Sequence, residues 1–252
     1  MSPEQIKILR LFREHVAEDL ELLAALHDHE PDANTIRGLR KLDFPQDLGL
    51  HLCSEEGIHA LQLMTQALAA LPETPGQDDL DELAADYASI YLNHNIQASP
   101  EESVWLDEDH LICQDSMFQV RSWLEKFGLR AENWRVRPDD HLVYQLKFIA
   151  HLLRQDDDLL DEAACFMDEH LLRWIGDFSQ RVLQRGDTPY FAGLAMLTAS
   201  YCEELRNLLT EITQQPRPTA EEIEERMSDQ NVAVTPVDDA PQAYVPGIGP
   251  AV

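Results

Sequence analysis

Residues 188–212 read TPYFAGLAMLTASYCEELRNLLTEI. Thr188 suits a helix cap, and Pro189 suits the first helical position, where its fixed φ and missing N–H cost nothing. Phe191, Leu194, Leu197, Tyr201, Leu205, Leu208 and Ile212 then recur every three or four residues, the spacing of one buried helix face. The preceding stretch repeats the pattern. A long helix over about 158–184 turns Phe166, His170, Trp174, Phe178 and Val182 inward, and Gly186 ends it. Two apolar helices in succession need further helices to cover them, which predicts an all-α bundle.

Upstream the same spacing continues, and no run alternates with period two. Ser2 and Pro3 open a first helix, Gln5 completes a capping box, and Ile6, Leu9, Phe12, Val16, Leu20 and Leu23 form its stripe. A short helix near 35–41 stops before Pro45. Ser54 caps another, with Ile58, Leu61, Met64, Leu68 and Leu71 on one face and Pro72 and Pro75-Gly76 at its end. Leu80, Leu83, Tyr87 and Ile90 mark a helix over about 79–91. Its start collects Asp78, Asp79, Asp81 and Glu82, where the helix dipole favours negative charge. A loop over about 93–107 comes next. Met117, Val120 and Leu124 lie on a helix ended by Gly128, and Pro138 begins one carrying Leu142, Leu146, Ile149 and Leu153. The reading is a single all-α domain of about nine helices over 1–215.

Residues 216–252 differ in kind, holding six of the fourteen prolines and a net acidic charge. Thr219 and Glu222 have capping-box spacing for one helix over 219–227, and 230–252 has too few large apolar groups to form a core. A short helix and a mostly disordered acidic tail are expected. Its apolar cluster, Tyr244-Val245-Pro246-Gly247-Ile248, has two readings: part of an inert end, or a segment lying in the protein's own binding groove.

Charge restricts the partners. Against 47 Asp and Glu stand 19 Lys and Arg, a formal net charge of −28 over 252 residues. Such a surface has no basic face for displacing phosphate counterions or docking on anionic lipid, but it attracts a basic partner over distance. No stretch reaches the roughly 20 apolar residues of a spanning helix, and 1–14 has no apolar core of a secretory signal. Cys53, Cys113, Cys165 and Cys202 lie far apart without a Cys-x-x-Cys pair, which reads as buried reduced thiols in a cytoplasmic protein.

Catalytic signatures are few. No nucleophile elbow, phosphate-binding loop or dinucleotide fingerprint is present, and Gly247-Ile248-Gly249 sits between prolines. Glu56 and His59 make one Glu-x-x-His, whereas a di-iron bundle needs that motif twice with two further Glu. His27 and His29, two apart, diverge on a helix. No metal and no cofactor are expected. Polar and aromatic residues do gather where loops interrupt the bundle. Asp86-Tyr87-Ala88-Ser89-Ile90-Tyr91 ends one helix, Pro100-Glu101-Glu102-Ser103-Val104-Trp105 lies in the loop after it, and Pro138-Asp139-Asp140-His141-Leu142 starts a later helix. Asp139 and Asp140 fit a first turn where they satisfy free N–H groups, and His141 beside two carboxylates is expected to hold its proton to higher pH.

These three motifs, in this order, resemble the TorD/DmsD/NarJ family of redox-enzyme maturation chaperones. The series Phe166, His170-Leu171, Trp174, Phe178, Tyr190-Phe191 and Leu194-Ala195 continues the pattern, so the resemblance covers roughly 55–210. It implies a cytoplasmic, non-enzymatic, all-α chaperone. Its partner would be the twin-arginine signal peptide, and often the body, of a molybdenum-cofactor oxidoreductase precursor, whose export it delays until the cofactor is inserted. It further implies a peptide groove of Tyr87, Tyr91, Glu102, Ser103, Trp105, Pro138, Asp139, Asp140 and His141. There carboxylates would pair the guanidinium forks, and aromatics would take the apolar stretch. Some members bind guanine nucleotide, for which no phosphate loop is present here.

Three positions depart from the family pattern. Arg137 stands where an acidic residue is usual, Gln145 where Glu is usual, and Gln97-Ala98-Ser99-Pro100 has fewer prolines. The identity of the client, and the choice between a monomer and a domain-swapped homodimer, stay open. The alternatives to a chaperone are a metal-dependent helical-bundle oxidoreductase and an acidic adaptor without a signal-peptide role.

Overall fold

Apolar spacing of three and four organises the chain into helices throughout. A computed structural model describes residues 3–155 and 159–233; the cluster at Tyr244–Ile248 and the cap at Ser2 lie outside them. The helices are α1 (Pro3–Asp28), α2 (Ala33–Lys41), α3 (Glu55–Ala70), α4 (Gln77–Tyr87), α5 (Ser103–Leu106), α6 (Asp115–Lys126), α7 (Leu142–Arg154), α8 (Leu160–Glu169), α9 (Ile175–Arg185), α10 (Pro189–Thr213) and α11 (Ala220–Ala233). Among the described residues there is no strand, only an isolated bridge between Glu101 and His141. The described residues form two compact units that divide between Pro218 and Thr219.

In the first unit α10 lies against α3, α8 and α9, and α1 runs along α7. Phe191, Leu194, Leu197, Tyr201 and Leu205 are fully buried, as are Val16, Leu20 and Leu23 of α1. At Gly193 helices α10 and α3 approach closely, since a Cβ there would stand 2.9 Å from Met64 Cα. Polar ties reinforce both pairs. Arg154 of α7 pairs with Glu14 and Glu21 of α1. Buried Arg206 of α10 grips Asp168 of α8 through Nε (2.8 Å) and Nη2 (2.6 Å), the parallel fork that makes a buried ion pair tolerable.

Several boundaries differ from the sequence expectation. The helix expected over 158–184 is broken: His170 takes φ −125° and ψ −85°, a 3-10 turn spans Leu171–Arg173, and α9 starts at Ile175. Phe166, His170, Trp174, Phe178 and Val182 all stay buried across the break, so their spacing carried no sign of it. Helix α7 begins at Leu142 rather than Pro138. Part of the expected 93–107 loop is the single-turn α5. Ile58, expected inward on α3, is 46% exposed, and Ala60, Met64 and Leu68 form the buried face instead. All four cysteines are free, yet only Cys202 is buried and Cys53 is exposed.

The second unit is described through α11. Its capping box is present: Thr219 Oγ1 accepts from Glu222 N–H (3.2 Å), and Glu222 Oε2 accepts from Thr219 N–H (2.7 Å). No described helix is long and apolar enough to cross a membrane.

Candidate functional site

Two of the polar motifs lock onto each other. The carbonyl of Pro100 accepts the N–H of Leu142 (2.8 Å), and the carbonyl of Asp140 accepts that of Glu102 (3.3 Å). Asp140 then caps a helix to which it does not belong. Its Oδ2 accepts the backbone N–H of Ser103 at 2.8 Å and also the Ser103 hydroxyl. Helix α5 has no side-chain cap from its own N-cap residue Glu102, and the first N–H groups of a helix lack an intrahelical partner. His141 caps α7, with Nδ1 accepting from Val143 N–H at 3.1 Å.

Glu102 is the hub of this junction and is wholly buried. Its Oε2 accepts from Gln145 Nε2 (2.6 Å), and its Oε1 lies 2.9 Å from His170 Nδ1. The broken helix at His170 brings that ring to Glu102. Gln145 also donates to the carbonyl of Asp140 (3.0 Å). An amide at position 145 can donate where a second carboxylate could not, which gives the departure from the family pattern a local reason. Asp140 Oδ1, Gln145 Oε1 and His170 Nε2 of the same cluster are buried without a hydrogen-bond partner among the described residues. Asp139 is committed elsewhere, to Nε (3.2 Å) and Nη2 (2.8 Å) of Arg121. Arg137 pairs with Asp28 at the end of α1.

Burial dominates the protonation of the junction. Desolvation pushes the Glu101 carboxyl up to about 7 against the hydrogen bond from Ser99, and Asp140 up to about 6 against the bonds from Ser103. His141 goes the opposite way from the expectation. Its pKa falls well below the usual imidazole value, because burial excludes the charged form and Arg137 adds repulsion. The neighbouring carboxylates do not rescue it: Asp140 faces Ser103 and Asp139 faces Arg121. The neutral ring is also what capping demands, since only an unprotonated Nδ1 accepts.

The third motif sits in the core. Asp86 is buried and accepts from Asp187 N–H (3.1 Å), Thr188 N–H (2.8 Å) and Thr188 Oγ1 (2.6 Å), holding the start of α10. Tyr87 donates its hydroxyl to the carbonyl of Asp28 (2.7 Å). A π-helical turn spans Ala88–Leu92, and Tyr91 within it hydrogen-bonds His27 Nδ1 at 2.6 Å. The Tyr87 and Tyr91 rings lie 4.7 Å apart beside Phe191. Both are buried among core aromatics, and neither lines the cleft beside Trp105.

Trp105 is half-buried, and its Nε1 donates to the carbonyl of Ser99 (2.8 Å). It borders a cleft of about 580 Å³ that Val104, Ile112, His94, His110, Arg181 and Arg185 also line. The Arg181 guanidinium carbon lies over the Trp105 ring, 5.2 Å from its centroid, a cation–π contact. Four non-glycine residues in the flanking loops have left-handed backbone: His94 (φ 51°), Gln97 (56°), His110 (55°) and Cys113 (60°). Such conformations cost about 1 kcal/mol each and gather where local geometry serves function.

The site therefore gathers Glu102, Ser103, Pro138, Asp139, Asp140 and His141 into one buried frame with Trp105 at its open edge. A family model described as "Nitrate reductase delta subunit" matches residues 55–180, half of the chain, and spans all three motifs. The chain belongs to that family. Several of its relatives carry the name chaperone protein TorD. The protein of that name in Vibrio vulnificus (strain YJ016) is 29% identical over 138 residues, half of this chain and 63% of the relative. Those in Shewanella pealeana and Shewanella oneidensis are 28% and 26% identical, covering 72% and 75% of this chain and 83% and 88% of the relatives. The chain thus spans less than two thirds of the length of the Vibrio vulnificus relative.

Within this delta-subunit frame, charged residues in and near the cleft carry no signal in the sequence. Arg181 and Arg185 project from α9, 76 or more positions beyond Trp105, and no motif joins them. Glu108 and Asp109 are exposed beside His110, but in so acidic a chain two more carboxylates carried no signal. As for the metal alternative, Glu56 and His59 are exposed on α3, and among the described residues no three His, Cys, Asp or Glu are grouped to hold an ion.

Proposed function

We propose that the protein is a non-catalytic chaperone of molybdenum-cofactor oxidoreductase precursors that receives their twin-arginine signal peptide at the cleft beside Trp105. The supporting observation is the interlocked Glu101–Ser103 and Pro138–His141 junction, which holds Trp105 half-open over a cleft of peptide side-chain size. The delta-subunit family and the chaperone name of the relatives support this class of partner.

On this reading the predicted groove residues divide the work. Trp105 and the adjacent Val104 and Ile112 offer apolar contact to the peptide. Glu102, Ser103, Pro138, Asp139, Asp140 and His141 form the frame that fixes Trp105, and Tyr87 and Tyr91 anchor the helix end behind it. With the frame carboxylates already bonded, the arginine pair would meet the exposed Glu108 and Asp109, which precede the cleft residue His110 in sequence. Holding back a leader before export would require the protein to act in the cytoplasm, as a single chain or a dimer.

Calorimetry tests this with a synthetic twin-arginine peptide and its Lys-Lys counterpart. The Lys version should bind about tenfold more weakly, because ammonium groups cannot form the bidentate fork. Trp105→Ala and the double variant Glu108→Gln/Asp109→Asn should each lose affinity for the Arg peptide. Equal binding of both peptides to all three proteins would discard the assignment.

A further inference from the structure

The cleft carries two basic groups that the twin-arginine reading does not use. Arg181 and Arg185 face it in a chain that has more than twice as many acidic as basic residues. Yet among the described residues neither has a carboxylate partner. Arg181 donates Nη1 to the carbonyl of Gln97 (3.0 Å), and Arg185 donates Nη1 to the carbonyl of Ile96 (3.2 Å) and to Gln97 Oε1 (2.9 Å). A guanidinium carries five N–H donors. The bonds made here use one nitrogen of each, and among the described residues the Nε–Nη2 edges are unengaged.

The contact with the Trp105 ring and the bond from Nη1 to the Gln97 carbonyl hold the Arg181 guanidinium beside the cleft before any ligand arrives. A planar group with two acceptor oxygens matches an Nε–Nη2 edge, which is the geometry of a carboxylate. No glycine lines the cleft, so it does not bare successive backbone N–H groups in the manner of a phosphate cradle. The overall negative charge does not forbid an anion here, because exposed charges are largely screened beyond roughly 8 Å at physiological salt.

We propose that Arg181 and Arg185 form a carboxylate-binding subsite, and that the polypeptide occupying the Trp105 cleft places an acidic side chain there. The subsite rests on the peptide reading above and extends it. The recognised segment is bipolar, with its basic pair toward Glu108 and Asp109, an apolar stretch against Trp105, and an Asp or Glu at Arg181 and Arg185.

Titration calorimetry on the full chain tests this with three synthetic peptides. The first is Arg-Arg-Ala-Phe-Leu-Ala-Ala-Glu with an amidated C-terminus, the second carries Gln in place of Glu, and the third is the Gln peptide with a free C-terminal carboxylate. The Glu peptide should bind about tenfold more tightly than the amidated Gln peptide. That advantage should vanish in Arg181→Gln/Arg185→Gln and be only partly kept in Arg181→Lys/Arg185→Lys, which retains charge without the fork. Thermal melts of the variants confirm that the loop at Ile96–Gln97 is still held. Equal affinity of the amidated Glu and Gln peptides overturns the subsite while leaving the cleft reading intact. A gain confined to the free-acid peptide overturns the side-chain assignment. Failure of all three peptides to bind overturns the cleft reading, and this proposal with it.

Discussion

Asp140, Glu101 and His141 show how single side chains set the conditions under which the site exists. Glu101 and Asp140 are acids whose folded values, about 7 and about 6, lie above the ordinary 4.5 and 3.8. The fold therefore prefers them protonated. Their contribution to stability is complete below the ordinary values and is lost as pH rises through 6 and 7. His141 acts in the opposite sense, because its depressed pKa makes the neutral ring the favoured form and its contribution is lost as pH falls below the usual imidazole value. Comparing wild type with Glu101→Gln isolates one of these groups. Between about pH 4 and pH 8 the stability difference should move in favour of the variant by about 3 kcal/mol, from the size of the shift. Denaturant melts at several pH values read this directly. A difference that stays constant with pH would mean that Glu101 is not held in its neutral form.

Helices meet through close approaches and borrowed caps, and these decide which element tolerates change. On α10, Gly193 faces Met64 of α3, where an added Cβ would lie 2.9 Å from Met64 Cα and 3.1 Å from its nitrogen. Backbone cannot swing aside as a side chain can, so Gly193→Ala should destabilise the fold by about 1–3 kcal/mol. Gly38 in α2 has nothing within 4 Å of an added Cβ, so Gly38→Ala should stabilise by about 0.5–1 kcal/mol through helix propensity alone. Chemical denaturation of the pair checks both, and shifts of the same sign would refute the close-approach account. The contrast also explains what could be read before the fold was known. The inward stripe of α10 was legible because burial repeats every turn. The break at His170 was not, because Phe166, Trp174 and Phe178 keep the same spacing on either side of it. Likewise Asp86-Tyr87 stood out as a motif, while its task of capping α10 depends on Asp187 and Thr188, 101 and 102 positions away. The frame at Glu102 joins residues 43 and 68 positions apart through Gln145 and His170. Local spacing carries no record of such pairings; only the residue types betray that buried polar partners must exist.

At the scale of the whole molecule, the net charge of −28 and the cleft chemistry pull in different directions. A diffuse negative field draws in any basic peptide and raises the encounter rate, but it is indifferent to whether the cations are arginines and to the residues beyond them. On the proposed reading, selection comes from short-range groups: the Trp105 face, the Glu108 and Asp109 carboxylates and the Arg181–Arg185 pair. These two contributions respond differently to salt. Between about 0.05 and 0.5 M monovalent salt, the association rate of a basic peptide should fall roughly tenfold as the field is screened, while its dissociation rate changes far less. The preference for Arg-Arg over Lys-Lys, carried by bidentate hydrogen bonds made after encounter, should persist at the higher salt. Stopped-flow fluorescence of the Trp105 environment resolves the two rates. If dissociation, rather than association, carried the salt dependence, the global charge would be part of the grip on the peptide and not merely the means of bringing it to the cleft.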